Sequence, residues 1–169
     1  TVDSSKRNDI NLLLNYPDDS AGSIMTTEYV ALKKDMTVRD AMRHIKEVGI
    51  HKETIYTCYV LERRKLIGIV TAKDLMTMDD DTKIGDIMET EIISVHTHTD
   101  QEEAARLFSK YDFLALPVLD ADGLMVGIIT VDDAIDVVVD EATEDMTVMA
   151  AVTPSEKSYF DTSVFAHAK

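Results

Sequence analysis

Seven carboxylates fall within the sixteen residues TVDDAIDVVVDEATED, from Thr130 to Asp145, with no Lys or Arg among them. At about 100° per residue, Asp133, Asp136, Asp140 and Glu144 share a narrow arc of a helix. Ala134, Ile135, Val138, Val139 and Ala142 occupy the other side, so the segment reads as an amphipathic helix with an acidic stripe. Asp136/Asp140 and Asp140/Glu144 are like-charge pairs four residues apart, each destabilising by about 0.2–0.5 kcal/mol. Glu144 and Asp145 also oppose the helix dipole. No basic residue occurs from Tyr111 to Glu156, so no local cation relieves the repulsion. Two readings stand: a solvated face screened by water and salt, or a face that awaits a cation or a basic partner.

The whole chain leans the same way. Its 169 residues carry a formal charge of −15, from 32 acids against 17 bases. That balance argues against nucleic acid or an anionic membrane surface as direct partner. An apolar fraction of 45% is enough for a packed core in one ordinary domain or two small ones. The lone cysteine, Cys58, sits in the apolar stretch IYTCYVL and reads as a buried thiol in a strand, which suggests a reducing compartment. No apolar run is long enough to span a membrane, and no signal peptide is visible. Both ends look cut, so the chain reads as part of a longer polypeptide.

Elements that position the carboxylates emerge from an internal repeat. SIMTTEYVALKKDMTVRDAMRHIKEV, ending at Val48, returns sixty-three residues later as the segment from Asp86 to Tyr111, and TCYVLERRKLIGIVTAKDLM returns at an offset of fifty-nine as ALPVLDADGLMVGIITVDDAI. The difference falls around Gly49–Thr54, a loop. Each half has an "IM" segment, a strand (Tyr29–Leu32; Ile92–Val95) and a helix (Val38–Val48; Gln101–Tyr111). Asp100 is the expected N-cap of the second helix, with Glu103 three residues on. Two strands follow around a tight turn, Glu62–Lys65 in one half and Asp122-Gly123 in the other. A closing helix (Lys73–Met78; Asp132–Asp145) completes β-α-β-β-α twice, an α/β fold.

The duplicated GIVTAKDL (Gly68–Leu75) and GIITVDDA (Gly127–Ala134), each following an "IM" segment, resemble a tandem cystathionine-β-synthase (CBS) domain pair, a Bateman module. The flanks LLNYPDDSAGSIMTTEYVAL and TVDDAIDVVVDEATEDM resemble the cytosolic part of MgtE-type magnesium transporters and channels. The resemblance implies four segments: residues 1–20, the remnant of an N domain's final helix and linker; 21–80 and 81–139, the two CBS repeats; and 140–169, the start of a connecting "plug" helix. It also implies a homodimer through the CBS domains, lying at the cytoplasmic face of the cell membrane, with an N domain and a pore that this sequence lacks.

What the resemblance assigns to the stripe is Mg²⁺, which prefers hard oxygen ligands and uses one or two carboxylates per site. By motif match, Asp133 and Asp136 face the N domain and the dimer partner, Asp112 joins a neighbouring site, and Glu141, Glu144 and Asp145 lie where connecting helices meet. Asp100 and Glu102 are further candidates, and Gly22 offers a backbone carbonyl near Asp133. The competing reading makes Asp100 a helix N-cap and Asp112 a helix C-terminal loop residue.

CBS pairs also commonly hold adenosine phosphates, so ATP or another adenine nucleotide is the second implied ligand. Asp74 would take the ribose hydroxyls, with Thr71 near the phosphates, Tyr56, Ile93 and Phe113 against adenine, and Lys73 meeting phosphate charge. Otherwise Thr71 and Asp74 cap the helix that follows, and Tyr56 and Phe113 are core aromatics. Val131-Asp132-Asp133 is acidic, so at most one nucleotide per chain is expected, on the Asp74 side. His96 and His98 lack further metal-ligand spacing, Asp120-x-Asp122-Gly123 is better explained as a hairpin, and no phosphate loop or nucleophile with a base occurs. No catalytic residue is expected. The implied function is Mg²⁺ sensing that closes a magnesium pore; the alternative is an adenine-nucleotide-sensing module of another transporter or enzyme.

Overall fold

The computed structural model describes residues 15–152. The chain runs α1 (Ala21–Ile24), β1 (Tyr29–Leu32), α2 (Val38–Val48), a 3₁₀ turn (Gly49–His51), β2 (Thr54–Glu62), β3 (Lys65–Thr71), α3 (Ala72–Thr77), α4 (Ile84–Ile87), β4 (Val95–His96), α5 (Gln101–Tyr111), β5 (Ala115–Leu119), β6 (Met125–Thr130) and α6 (Val131–Val152). Two three-stranded sheets form, β1-β2-β3 and β4-β5-β6, each with a parallel first pair and an antiparallel second. This is the α/β arrangement of two repeats that the sequence implies.

Local chemistry sets the element ends. α2 starts with a capping box between Thr37 and Asp40, and α3 with one between Thr71 and Asp74. At the tight β2–β3 turn both central residues, Arg63 (φ 52°) and Arg64 (φ 69°), are left-handed without being glycine. The β5–β6 turn places Gly123 at φ 80°, where glycine carries no steric penalty. The second-half strand is shorter than expected: only Val95–His96 pair, while Ile92–Ser94 leave the sheet. His98 therefore lies past the strand and does not share its face with His96; it meets the Tyr16 ring edge-on at 6.4 Å.

The repeats in sequence are interleaved in space. α1, at the head of the first repeat, packs into the second: Ala21 and Met25 lie in the cluster of Phe108, Leu116 and Ile129. α4, at the head of the second, packs into the first, where Ile84 joins Val30, Val60 and Val70. The exchange is symmetric bond for bond. The amides of Ala21 and Gly22 donate to Thr99 O (2.7 Å) and Thr97 O (2.8 Å), as those of Ile84 and Gly85 donate to Met36 O (2.8 Å) and Lys34 O (2.9 Å). Thr26 and Ile128 exchange reciprocal backbone bonds, as do Ile69 and Glu89.

Each "IM" methionine is the knob of this exchange and each motif glycine the hole. A Cβ on Gly127 would come 2.7 Å from Met25 Sδ and 2.8 Å from Thr26 O; one on Gly68 would come 2.7 Å from Met88 Cγ. A third cluster of Tyr59, Ala115, Met125 and Ile128 welds the two sheets. Cys58 is fully buried in β2, and burial pushes its thiol up to about 12.

α6 seats differently from the expected amphipathic division. Its buried positions are Ala134 and Val137, whereas Ile135, Val138 and Val139 are 57%, 53% and 56% exposed. The helix continues unbroken through residue 140 to Val152. Residues 1–14 of the expected upstream remnant, and 153–169 of the expected connecting helix, lie outside the described residues.

Gly127→Ala is expected to cost about 1–3 kcal/mol in urea unfolding, because the new methyl meets backbone oxygen that cannot move without breaking the Thr26–Ile128 pair. Gly68→Ala should fall in the same range, since the new methyl would meet Met88 Cβ at 2.8 Å as well as Cγ, and a Cβ moves only with its backbone.

Candidate functional site

The two T-x-x-D turns, Thr71–Asp74 and Thr130–Asp133, occupy equivalent places at the ends of β3 and β6. Their side chains are used differently. In the first, Asp74 N–H donates to Thr71 Oγ1 (3.2 Å) and Thr71 N–H donates to Asp74 Oδ2 (3.1 Å). In the second, the Thr130 hydroxyl donates to Asp133 Oδ2 at 3.0 Å, a side-chain pair. The caps predicted for Thr71 and Asp74 are thus present.

Beside the first turn lies a cavity of about 430 Å³, within the range of small-molecule sites. Thr71, Asp74, Ile93 and Phe113 line it, as does Asp112. Asp112 is the left-handed C-cap of α5 (φ 54°), as the loop reading anticipated. It sits between Tyr111 and Phe113, whose rings stack at 5.3 Å. Glu89, Glu91, Thr57 and Tyr111 also line the cavity, and sequence reasoning did not single them out.

Two expected members stand apart. Tyr56 is 65% exposed and no core aromatic. It lines a separate cleft of about 450 Å³ with Glu53, Leu114, Thr130 and Asp132, because strand alternation turns it to the opposite face from Thr57. Lys73 is exposed and borders neither cleft. No basic side chain lines either cleft.

The expected metal ligands are dispersed within one chain. Asp133 is half-buried, while Asp136, Glu144 and Asp145 are exposed along α6. Glu141 is half-buried and accepts from the Gln101 amide at 3.1 Å. Asp100 caps α5 by accepting from Glu102 N–H at 2.8 Å, one residue earlier than the capping box with Glu103 would require. Glu102 pairs with Arg106 at 2.8 Å. Gly22 is buried in α1, where a Cβ would meet the Tyr16 ring at 2.5 Å. Among the described residues no three of His, Cys, Asp and Glu are close enough to hold a metal ion.

With two interleaved β-α-β-β-α units and paired T-x-x-D turns on shared clefts, the fold is that of a CBS pair. The CBS domain model matches residues 21–80 and 84–140, so the chain belongs to the CBS domain family. Magnesium transporters are among its relatives: it is 46% identical, over 92% of its length, to the magnesium transporter MgtE of Enterococcus faecalis. Among solved structures it is similar to the soluble part of a magnesium transporter (46% identity, TM-score 0.81, covering 83% of this chain and 56% of that one). It is also similar to the cytosolic domain of the Mg²⁺ channel MgtE in complex with ATP (43% identity, TM-score 0.78, covering 80% and 55%). The chain spans about a third of the length of the curated transporters it matches (34–37%). No helix among the described residues is long and apolar enough to cross a membrane.

Removing the cap at the cavity wall has a defined cost. Thr71→Ala is expected to lower unfolding free energy by about 1 kcal/mol, with Thr71→Ser within a few tenths of the unmodified chain, as read by urea denaturation.

Proposed function

We propose that this chain is the Mg²⁺-sensing part of a magnesium transporter or channel, acting as a homodimer at the cytoplasmic face of the membrane. One observation carries the reading. α6 bears seven carboxylates, and every ion pair among the described residues lies elsewhere: Lys34–Glu62, Arg39–Asp80 and Asp81, Arg43–Asp40 and Arg106–Glu102. Among the described residues no cationic side chain pairs with this helix to relieve the repulsion built into it. A divalent cation bridging carboxylates from two surfaces would relieve it, and Mg²⁺ suits such a site because it keeps much of its water and needs few protein ligands.

The exposed apolar stripe Ile135, Val138 and Val139, beside a groove of about 250 Å³ shared with Ala105 and Phe108, supports a second copy as partner. Pairing there would bring two acidic stripes together. At high Mg²⁺, Asp133, Asp136, Asp112, Glu141, Glu144 and Asp145, with Asp100, Glu102 and the Gly22 carbonyl at the periphery, would be drawn into closed contacts with the partner and the N domain. At low Mg²⁺ repulsion would separate them. Differential affinity for the closed state is what such a switch requires, and the pore of the same polypeptide would receive the change through the connecting helix.

The cavity at Thr71, Asp74, Ile93 and Phe113 supports an adenine nucleotide as a second ligand, and a similar domain has been solved with ATP. A nucleotide-sensing module without a metal response is the competing reading.

The test is a thermal melt against MgCl₂ beside monovalent salt matched for ionic strength. At ten times the dissociation constant, Mg²⁺ linkage corresponds to about 1.4 kcal/mol, or about 3–6 °C for a chain of this size. Asp133→Ala/Asp136→Ala should blunt the rise. An equal response to monovalent salt would reduce the stripe to a screened surface and move the nucleotide reading to first place.

A further inference from the structure

The reciprocal backbone bonds that seat α1 and α4 are matched between the halves, but one side-chain contact is not. Gln101 opens α5 and is half-buried. Its Nε2 donates to Asp19 Oδ1 at 3.2 Å and to Glu141 Oε1 at 3.1 Å. Both acceptors are carboxylates, which when ionised can only accept, so the amide presents its NH₂ and satisfies one with each hydrogen. At the equivalent place in the first half stands Val38, fully buried and without such a group. The backbone bond beneath is conserved in both halves: Gln101 N–H to Asp19 O at 2.8 Å, Val38 N–H to Thr82 O at 2.9 Å.

The two residues Gln101 joins come from separate stretches. Asp19 belongs to the segment that enters the pair, held at φ 64° in the left-handed region. Glu141 lies mid-way along α6, the helix that leaves it, and past Val137 it is the one α6 position with a described side chain that is not exposed. Tyr16, three residues upstream, covers Gly22 and so extends the same seam. The halves differ in the same sense: α3 ends at Thr77, whereas α6 runs on to Val152 and needs an anchor beyond its second turn.

We propose that Gln101 is a positioning residue, a neutral clasp that ties the entering segment to the leaving helix through Asp19 and Glu141. The clasp makes the two move as one, so a cation response arising on α6 is transmitted to the segment before the first repeat. This inference rests on the magnesium reading for the origin of the response, and on the geometry alone for the clasp.

Hydrogen exchange of the unmodified chain, Gln101→Leu and Gln101→Lys, each with and without MgCl₂, tests it. In the unmodified chain Mg²⁺ should slow exchange around Glu141 and at Ala21 and Gly22 together. Gln101→Leu should speed exchange at both places about tenfold without Mg²⁺, as loss of bonds to charged acceptors implies, and Mg²⁺ should then protect α6 alone. Gln101→Lys places a fixed cation between the two carboxylates and should restore protection at both places without Mg²⁺. Exchange changes confined to α5, or joint Mg²⁺ protection persisting in Gln101→Leu, would overturn the clasp. No Mg²⁺ effect in the unmodified chain would instead sink the magnesium reading, and the two variants' baseline exchange would still decide the clasp.

Discussion

Met25 in the hole at Gly127, and Met88 in the hole at Gly68, hold the molecule together in a way that sequence order does not suggest. Each short helix heads one repeat and completes the core of the other, so neither repeat is a self-sufficient packing unit. The backbone bonds of Ala21, Gly22 and Thr26, mirrored by Ile84, Gly85 and Glu89, fix the exchange through eight amides once the reciprocal Ile128 and Ile69 are included. With the sheets welded at Tyr59 and Ile128, the two T-x-x-D turns stand at fixed places on the clefts between the halves. Any ligand in those clefts touches both repeats at once.

On this rigid base sits a helix whose charge is unbalanced. α6 is fastened by Ala134 and Val137 and then leaves the body, with a cluster of exposed Ile135, Val138 and Val139 on one side and carboxylates on another. Apolar burial against a second copy would favour association, and the carboxylates would oppose it. Hydrophobic burial is indifferent to Mg²⁺, whereas the repulsion is not. The balance between them is therefore a natural point for control by a divalent cation, and dispersal of the carboxylates within one chain is what such a shared site would require.

Much of this was legible in the residues. The 63- and 59-residue offsets, the hairpin turns and the helices Val38–Val48 and Gln101–Tyr111 follow from period and caps. What escaped was non-local. Interleaving leaves no trace in a linear repeat, since "IM" precedes its own strand in both halves. Tyr56 was placed with Asp74 because only strand register, set by pairing with β3, turns it to the other cleft. The buried side of α6 was misjudged at Ile135, Val138 and Val139 because the helix seats on Ala134 and Val137, which turns those three away from the chain's own core. Gln101 gave no signal at all: a glutamine at the start of a helix has no distinguishing pattern until Asp19 and Glu141 are seen beside it.

The central claim, that Mg²⁺ draws the α6 helices of two copies together, is read most directly as a distance. Thr147→Cys, exposed on α6, offers a spin-label site while fully buried Cys58 stays unreactive. Pulsed electron resonance between the two copies should show a broad, long distribution without Mg²⁺ and a shorter, narrower one with it, unchanged by monovalent salt of equal ionic strength. A distance that ignores Mg²⁺, or moves equally with monovalent salt, would contradict the account.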